Sequence, residues 1–243
     1  MSREIFLKAA VIGGTSQIAL SIIKNLHQLE TVYLAGRNEE RLRAAAGTLP
    51  VKEVKVLSGD ISSGESIASL VSELPSDLDL AVIAQGMLKP ESSGGIGREL
   101  EDMVRVNLTG PCIWIDELVK KYGDRSCRIC VISSVAGDRG RASNYLYGMT
   151  KAGLSAYAEG MGAELEQKKR KCRITVLKPG LVATRMTADR SDMRLAADCD
   201  SVGKTAAKAL MSGKSLVYAP VWWRPVMFII RNLPGFVFRR IRA

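Results

Sequence analysis

Short apolar runs alternate along this chain with segments whose apolar residues recur every three or four positions. The predicted strands are residues 7–12, 31–35, 54–58, a run ending at 82–86, 128–133, 174–177 and 215–219. The predicted helices between them include one opened by residues 13–19 and running to about residue 29, and the segments 39–46 and 145–166. Such alternation is typical of an α/β fold, so we expect a doubly wound parallel sheet flanked by helices.

A glycine turn follows the first predicted strand and opens the first predicted helix. The backbone N–H groups at a helix N-terminus are unpaired and the helix dipole favours negative charge there, so such a turn can bind the diphosphate of a dinucleotide. The candidate ligands in this turn are Gly13, Thr15, Ser16, Gln17 and Ile18. The pattern predicts a Rossmann-type dinucleotide site.

The second predicted strand is followed by Gly36-Arg37-Asn38, with no acidic residue at its end. An acid at that place would hydrogen-bond the adenosine ribose and repel a 2′-phosphate, whereas Arg37 can pair with the phosphate. NADP is therefore favoured over NAD as the cofactor. The alternative is that Arg37 is a surface cation and the site accepts NAD as well.

Tyr147 and Lys151 lie four residues apart in the predicted helix 145–166, and Ser134 lies thirteen residues before the tyrosine. Positions i and i+4 share one helix face, which brings the phenol and the ammonium side by side. A neighbouring cation favours the phenolate, so we expect Lys151 to lower the pKa of Tyr147 toward the range of a useful general acid or base. Ser134 follows a strand and can offer its hydroxyl to the same substrate oxygen.

Together with Asn107 and Pro179-Gly180, these residues follow the order of the short-chain dehydrogenase/reductase family, which the chain resembles. The resemblance implies an NAD(P)-dependent enzyme that reduces a ketone to a secondary alcohol. It implies that the catalytic residues are Asn107, Ser134, Tyr147 and Lys151. In the family, the lysine also grips the nicotinamide ribose, and the asparagine holds a water that connects the lysine with bulk solvent.

The resemblance implies further cofactor contacts beyond the glycine turn. They are Asp60 and Ile61 at the adenine, Ala84 and Gly86 at the ribose, Pro179, Gly180, Val182 and Thr184 at the nicotinamide, and the catalytic Tyr147 and Lys151. The alternative for Asp60 is a helix cap before Ser62 and Ser63.

Segment 185–200 falls where the family keeps its substrate lid. The chain departs from the family where Gln17 and Ala19 replace glycines of the turn and where 82–86 lacks the usual Asn-Ala-Gly.

The composition is consistent with one cytoplasmic domain. At 243 residues the chain fits a single α/β domain, with no linker or repeat that would divide it. The five cysteines are odd in number and no signal peptide precedes the first strand, so we expect a reduced setting. Cys127 and Cys130 are the only closely spaced pair and His27 is the only histidine, so we expect a buried strand there and no metal site.

The C-terminal segment carries most of the net charge. Residues 201–243 contain eight basic residues and no acid, against a net charge of +10 for the chain. In 221–243, the tail, basic residues alternate with tryptophan, phenylalanine and isoleucine, which is typical of a helix lying in an anionic membrane interface. The longest uncharged apolar run of this segment, 215–223, is too short to span a bilayer. The alternative is that the tail packs on the protein's own core or on a partner subunit. Nucleic acid is not expected as a partner, because no nucleic-acid-binding motif accompanies the positive charge.

The tail also carries a narrower resemblance. Residues 213–220, Arg224-Pro225-Val226-Met227, Arg231-Asn232-Leu233-Pro234 and Phe238-Arg239-Arg240 are similar to the tail of decaprenylphosphoryl-2-ketopentose reductases. These enzymes reduce the 2-keto sugar of a polyprenyl-phosphate intermediate of cell-envelope polysaccharide synthesis after a flavin oxidase has formed it. The resemblance implies a lipid-linked sugar substrate, a flavin oxidase partner and peripheral contact with the inner face of the plasma membrane.

Two other hypotheses remain open. One is a soluble reductase or dehydrogenase of a small carbonyl or alcohol, whose tail serves dimer packing. The other is a nucleotide-binding module without enzymatic activity, against which the combination of Ser134, Tyr147 and Lys151 argues, because binding alone requires no tuned acid. The small residues along 145–166 permit close helix packing, and the family commonly forms a homodimer or homotetramer through this helix.

Overall fold

The computed structural model describes residues 5–88, 97–188, 196–238 and 240. Its strands are β1 (Lys8–Ile12), β2 (Thr31–Gly36), β3 (Glu53–Ser58), β4 (Leu80–Ile83), β5 (Arg128–Ile132), β6 (Arg173–Pro179) and β7 (Leu216–Ala219). They form a seven-stranded sheet in the order β3-β2-β1-β4-β5-β6-β7, and every pairing is parallel. The predicted doubly wound parallel sheet is confirmed.

Helices cover both faces of this sheet. They are α1 (Gln17–Lys24), α2 (Glu39–Ala46), α3 (Gly64–Glu73), α4 (Gly97–Val104), α5 (Gly110–Tyr122), α6 (Tyr145–Gln167), α7 (Cys199–Met211), α8 (Trp223–Asn232) and the short α9 (Gly235–Phe238). One hydrophobic core joins α1, α2 and α7 to the sheet, and a second joins α3, α5 and α6 to its other face. Because both faces are covered, the central strands β4 and β5 are buried along their whole length.

Most predicted boundaries differ from the observed ones by one or two residues, and α2 agrees at both ends. The first helix differs more, because α1 ends at Lys24 and not near residue 29. Asn25 ends it: its side-chain amide donates to the carbonyl of Ser21 at 2.9 Å. Asn107 lies in a π-helical turn, Arg105–Thr109, between α4 and α5.

The strand order places the carboxyl ends of the strands beside one another. β1 pairs with β2 on one side and with β4 on the other, so the direction of winding reverses at β1. In open parallel sheets, ligands bind in the crevice outside the carboxyl ends at such a reversal. The segments that follow β1, β4, β5 and β6 all meet at this edge.

The cysteines have no disulfide role in this fold, since all five are free thiols. Cys130 lies within β5 and is fully buried, and Cys127 immediately precedes that strand. The expectation that this pair enters a buried strand is confirmed. Burial raises the pKa of the Cys130 thiol to about 12, so it is a protonated core residue.

Candidate active site

A cavity of about 570 Å³ lies at the carboxyl edge of the sheet, within the size range of ligand sites. Of the predicted cofactor ligands, Asp60 alone is not part of its wall. Ser134 also lines the cavity, whereas Asn107 lies behind the wall. The residues that the sequence places far apart are therefore brought to one cavity, with the exceptions of Asp60 and Asn107.

Tyr147 and Lys151 project from the first two turns of α6 toward the end of β5. The Lys151 ammonium donates to the carbonyl of Ile132 at 3.0 Å and lies 5.8 Å from the centroid of the Tyr147 ring. The Tyr147 phenol forms a side-chain hydrogen bond with Ser134. The serine, tyrosine and lysine thus form a connected catalytic cluster at the cavity wall.

Hydrogen bonds between α6 and the end of β5 hold this cluster in place. The Ser133 hydroxyl donates to the carbonyl of Lys151 at 3.0 Å and lies 2.7 Å from the Ser155 hydroxyl. Ser134 Oγ accepts from the N–H of Ala136 at 3.1 Å, which turns the chain after β5. Gly148 permits the close approach of the helix, because a Cβ there would lie 2.8 Å from the carbonyl oxygen of Ala136.

Burial dominates the acid–base properties of the cluster. It raises the pKa of Tyr147 to about 12, against which the hydrogen bond with Ser134 acts in the lowering direction. Burial also lowers the pKa of Lys151 to about 8. The expectation that Lys151 lowers the pKa of Tyr147 below its usual value is therefore wrong for this structure, because desolvation of the phenolate raises the pKa and only the hydrogen bond with Ser134 acts in the other direction. At neutral pH the phenol is a protonated acid.

Asn107 connects the loop after β4 with α6 and is completely buried. Its side-chain amide accepts from the N–H of Met87 at 2.7 Å and donates to the Met87 carbonyl at 2.9 Å. It also donates to Thr150 Oγ1 at 3.3 Å. Gly86 lies between Asn107 and the cluster, since a Cβ there would be 3.5 Å from Asn107 Oδ1 and 3.7 Å from Lys151 Nζ. Asn107 therefore positions the loop that forms the cavity wall.

The glycine turn forms a backbone cradle. The N–H groups of Gly13 and Gly14 both donate to the carbonyl of Ala35, at 3.0 and 2.9 Å. Gly13 has a φ of 84°, and a Cβ there would lie 2.8 Å from the N–H nitrogen of Gln85. Ser16 caps α1 by accepting from the N–H of Ala19 at 3.4 Å. These bonds fix the shape of the turn, and the N–H groups at the start of α1 fit the diphosphate of a dinucleotide although glycine is absent at 17 and 19.

Two arginines line the end of the cavity near β2, namely Arg37 and Arg41. Asn38 lies between them and caps α2, accepting from the N–H of Arg41 at 2.9 Å. Sequence reasoning did not include Arg41. The available signal was a second cation four residues after Arg37, in the first turn of the correctly predicted helix.

Asp60 lies outside the cavity wall, and its neighbour Ile61 lies within it. The Asp60 carboxylate accepts from the N–H and the hydroxyl of Ser62, at 2.9 and 2.7 Å, and lies 3.8 Å from Arg105. These hydrogen bonds, the hydroxyl first, hold the pKa of Asp60 below its usual value. Asp60 orders the turn after β3. It does not cap α3, whose N-cap position is Ser63.

The segment after β6 supplies another wall, formed by the predicted Pro179, Gly180, Val182 and Thr184. Thr184 and Thr187 close a short turn in which the N–H of Thr184 donates to Thr187 Oγ1 at 3.0 Å. Of the predicted lid 185–200, residues 189–195 lie outside the described residues, and 199–200 already belong to α7.

Sequence reasoning also missed cavity residues contributed by the tail and by the loop before α6. Trp223, Arg141 and Asn144 line the cavity. The Trp223 indole lies against Gly180, where a Cβ would meet its Nε1 atom at 1.8 Å. Trp223, Met227 and Ile230 follow helical spacing, a signal that this face of α8 packs on the fold.

The tail is anchored to the fold through the loop after β5. The Arg139 guanidinium donates to the carbonyls of Ile230 and Leu233 and lies 4.0 Å from the centroid of the Phe238 ring. Met227 is fully buried. One face of the tail, formed by Trp223, Met227 and Ile230, therefore packs on the protein's own core. For that face the alternative expectation holds. Within the described chain, no helix is both long enough and apolar enough to cross a bilayer.

Known bacterial oxidoreductases are similar to this chain in sequence over nearly its whole length. An uncharacterized oxidoreductase of Mycobacterium tuberculosis is 31% identical over 242 residues, with 95% of each chain covered. An uncharacterized oxidoreductase of Streptomyces coelicolor is 32% identical over 243 residues, with 95% of this chain and 94% of the other covered.

Solved structures show the same architecture. A short chain dehydrogenase from Burkholderia cenocepacia in complex with NADP has a TM-score of 0.83 at 19% identity, with 100% of both chains covered. An actinorhodin polyketide ketoreductase with NADPH has a TM-score of 0.75 at 22% identity, with 88% of this chain and 95% of the other covered. The sequence profile described as short chain dehydrogenase matches residues 8–195. The chain therefore belongs to the short chain dehydrogenase family.

Proposed function

We propose that this oxidoreductase uses NADPH to reduce a ketone to a secondary alcohol. The observation that carries the proposal is the connected cluster of Ser134, Tyr147 and Lys151 in the wall of a cavity that also contains a nucleotide cradle. A binding module requires no half-buried phenol linked to a serine hydroxyl. Such a cluster is suited to giving a proton to an oxygen on which negative charge develops.

The mechanism follows from the state of each side chain. NADPH, when bound, supplies the hydride that reduces the carbonyl carbon. Ser134 donates a hydrogen bond to the carbonyl oxygen, and Tyr147, a protonated acid at neutral pH, transfers its phenolic proton to that oxygen. Lys151 is mostly cationic at neutral pH and stabilises the resulting phenolate. Through its hydrogen bonds with Met87 and Thr150, Asn107 holds the loop after β4 against the start of α6.

The preference for NADPH over NADH rests on Arg37 and Arg41. Both line the cavity beside the end of β2, and the strand end has no acidic residue that would repel a 2′-phosphate. An arginine guanidinium can form charge-assisted hydrogen bonds with a phosphate. The structural neighbours that contain NADP or NADPH are consistent with this preference.

The proposed substrate is the 2-keto sugar of a polyprenyl-phosphate intermediate, which a flavin oxidase would supply. Helix α8 supports this because its two faces differ: Trp223 lines the cavity, while Phe228 and Ile229 are exposed on the other side. Trp222 and Phe236 extend the exposed apolar surface, and Arg224 lies in the first turn. We call Trp222, Phe228, Ile229 and Phe236 the exposed tail face. Lying on an anionic membrane, it would bring the cavity to a lipid-linked sugar.

The proposed assembly is a homodimer or homotetramer that packs through α6. Ala156, Gly160 and Ala163 are exposed on this helix and would allow a second copy to approach closely. Analytical ultracentrifugation of the full chain tests this point, and a monomer over the whole concentration range would contradict it.

Flotation with vesicles tests the substrate proposal through the tail. The double variant Phe228→Ser/Ile229→Ser removes two exposed apolar side chains, and we expect it to bind vesicles of anionic phospholipid about ten times more weakly than the wild type. The matched control is Leu7→Ser, another exposed apolar residue that precedes β1 at the opposite edge of the sheet. Wild-type protein that remains in solution would favour a soluble reductase of a small carbonyl.

A further inference from the structure

Gln17 occupies a position where the family turn has glycine, and its side chain has a partner on the far wall of the cavity. Gln17 Oε1 accepts from the backbone N–H of Arg185 at 2.7 Å. In return, the Arg185 guanidinium donates to the carbonyl of Thr15 at 2.9 Å. Two hydrogen bonds therefore connect the glycine turn with the segment after β6.

The segment that carries Arg185 is held in shape by its own hydrogen bonds. Thr184 and Thr187 form a reciprocal cap around it, and Thr187 Oγ1 also donates to the carbonyl of Val182 at 2.6 Å. Val182 in turn forms a β-bridge with Ala197. Because the segment is ordered in this way, the contact with Gln17 joins two defined walls and is not a contact between two loose loops.

The position of the contact relates it to the diphosphate cradle. Gln17 is the first residue of α1, Thr15 belongs to the turn before it, and Arg185 lines the same cavity. The side chain of Arg185 forms no ion pair with a carboxylate of the described chain. A guanidinium at the N-terminus of a helix adds positive charge where an anion already binds favourably.

We propose that Gln17 and Arg185 form a clasp across the cavity mouth that retains the diphosphate of the dinucleotide and slows its release. The inference rests on the proposed function only in taking a nicotinamide dinucleotide as the ligand. The clasp compensates for the missing glycine: the longer side chain costs space in the turn and supplies a bond to the opposite wall. It acts on the part of the cofactor that NADPH and NADH share.

Stopped-flow fluorescence of NADPH release tests the clasp without any turnover. Gln17→Ala removes the acceptor for the Arg185 N–H, and we expect release about 3 to 10 times faster, as for the loss of one hydrogen bond. Arg185→Ala removes the guanidinium, and we expect a comparable increase at low salt that shrinks as salt rises. The double variant is expected to release less rapidly than the product of the two effects, because the residues act together.

The same experiment with NADH provides the control. Gln17→Ala and Arg185→Ala should accelerate release of both nucleotides by the same factor, whereas Arg37→Ala should affect NADPH alone. Unchanged release in both clasp variants would overturn the clasp and leave the reductase proposal intact. Wild-type protein that binds neither nucleotide would instead overturn the proposed function. Acceleration limited to NADPH would place Arg185 at the 2′-phosphate and also contradict the clasp.

Discussion

The catalytic cluster and the exposed tail face are built in opposite ways. Lys151 is 3% exposed and is held by hydrogen bonds to the fold, as are Ser134 and Asn107. Phe228, on the exposed tail face, is 70% exposed and follows directly after the fully buried Met227. The cluster is fixed by polar contacts inside the protein, whereas the tail face offers apolar surface to something outside it.

The catalytic cluster accounts for the chemistry of the reaction but not for the choice of substrate. A half-buried phenol beside a serine hydroxyl is suited to proton transfer to any ketone, so the cluster alone does not select a substrate. The exposed apolar side chains of α8 lie outside the core, and the proposed function gives them a role in contact with a partner surface. In that proposal the partner surface is an anionic membrane, to which the basic residues of the tail would be attracted.

The largest effect is expected from removing the catalytic acid. Tyr147→Phe deletes the phenolic proton while keeping the ring, so the rate of ketone reduction should fall by about 10² to 10⁴. Nucleotide affinity should remain nearly unchanged when titrated by NADPH fluorescence. A variant that retains most of its activity would remove Tyr147 from the mechanism.

Two adjacent residues of α8 test whether its faces really differ. Met227→Ala should lower the free energy of unfolding by about 2 to 5 kcal/mol, because it leaves a cavity in a fully buried position. Phe228→Ala should change it by less than about 0.5 kcal/mol, because that side chain faces solvent. Denaturant titration of both variants measures the two values. Equal losses would show that the exposed tail face also contributes to folding.

Substitution of the two arginines beside the end of β2 tests the preference for NADPH over NADH. Arg37→Ala should weaken NADPH binding by about 10- to 100-fold, the loss expected for a hydrogen bond to a charged group, while NADH binding stays the same. Equal weakening of both nucleotides would place Arg37 away from the 2′-phosphate. Arg41→Ala, treated in the same way, shows whether the second arginine shares this role.

The pH dependence of reduction should reflect Lys151 and not Tyr147. The pKa of Lys151 is lowered to about 8, so its ammonium is present below that pH and is lost as the pH rises through it. Tyr147, with its pKa raised to about 12, keeps its proton over this range. The single-turnover rate with saturating NADPH should therefore be level at neutral pH and decline above about pH 8. A rate that stays level up to pH 10 would contradict this assignment.

Local patterns in the sequence were sufficient for the sheet and for most of the cavity wall. Helix 39–46 and the spacing of Tyr147 and Lys151 depend on neighbours within one or two turns, and both are found as predicted. The same holds for the segments that follow the strands, because the carboxyl ends of parallel strands must meet at one edge.

The features that could not be predicted depend on contacts between distant residues. Gln17 looked like a weakness of the glycine turn, and its bond with Arg185 appears only when the segment after β6 is in place. The place of Trp223 in the cavity wall requires α8 to fold back over Gly180. The predicted direction of the Tyr147 pKa shift was wrong, because the shift depends on burial, which helical spacing does not reveal.

The most direct test is the oxidation of NADPH by the full chain with a polyprenyl-phosphate-linked 2-keto sugar in anionic vesicles, followed by absorbance. The account predicts one NADPH consumed for each ketone reduced, and a much lower kcat/KM for the same keto sugar without its lipid. Equal kcat/KM for the two substrates would contradict the role of the tail. Absence of NADPH oxidation with either substrate, in protein that binds the nucleotide, would contradict the proposed reductase itself.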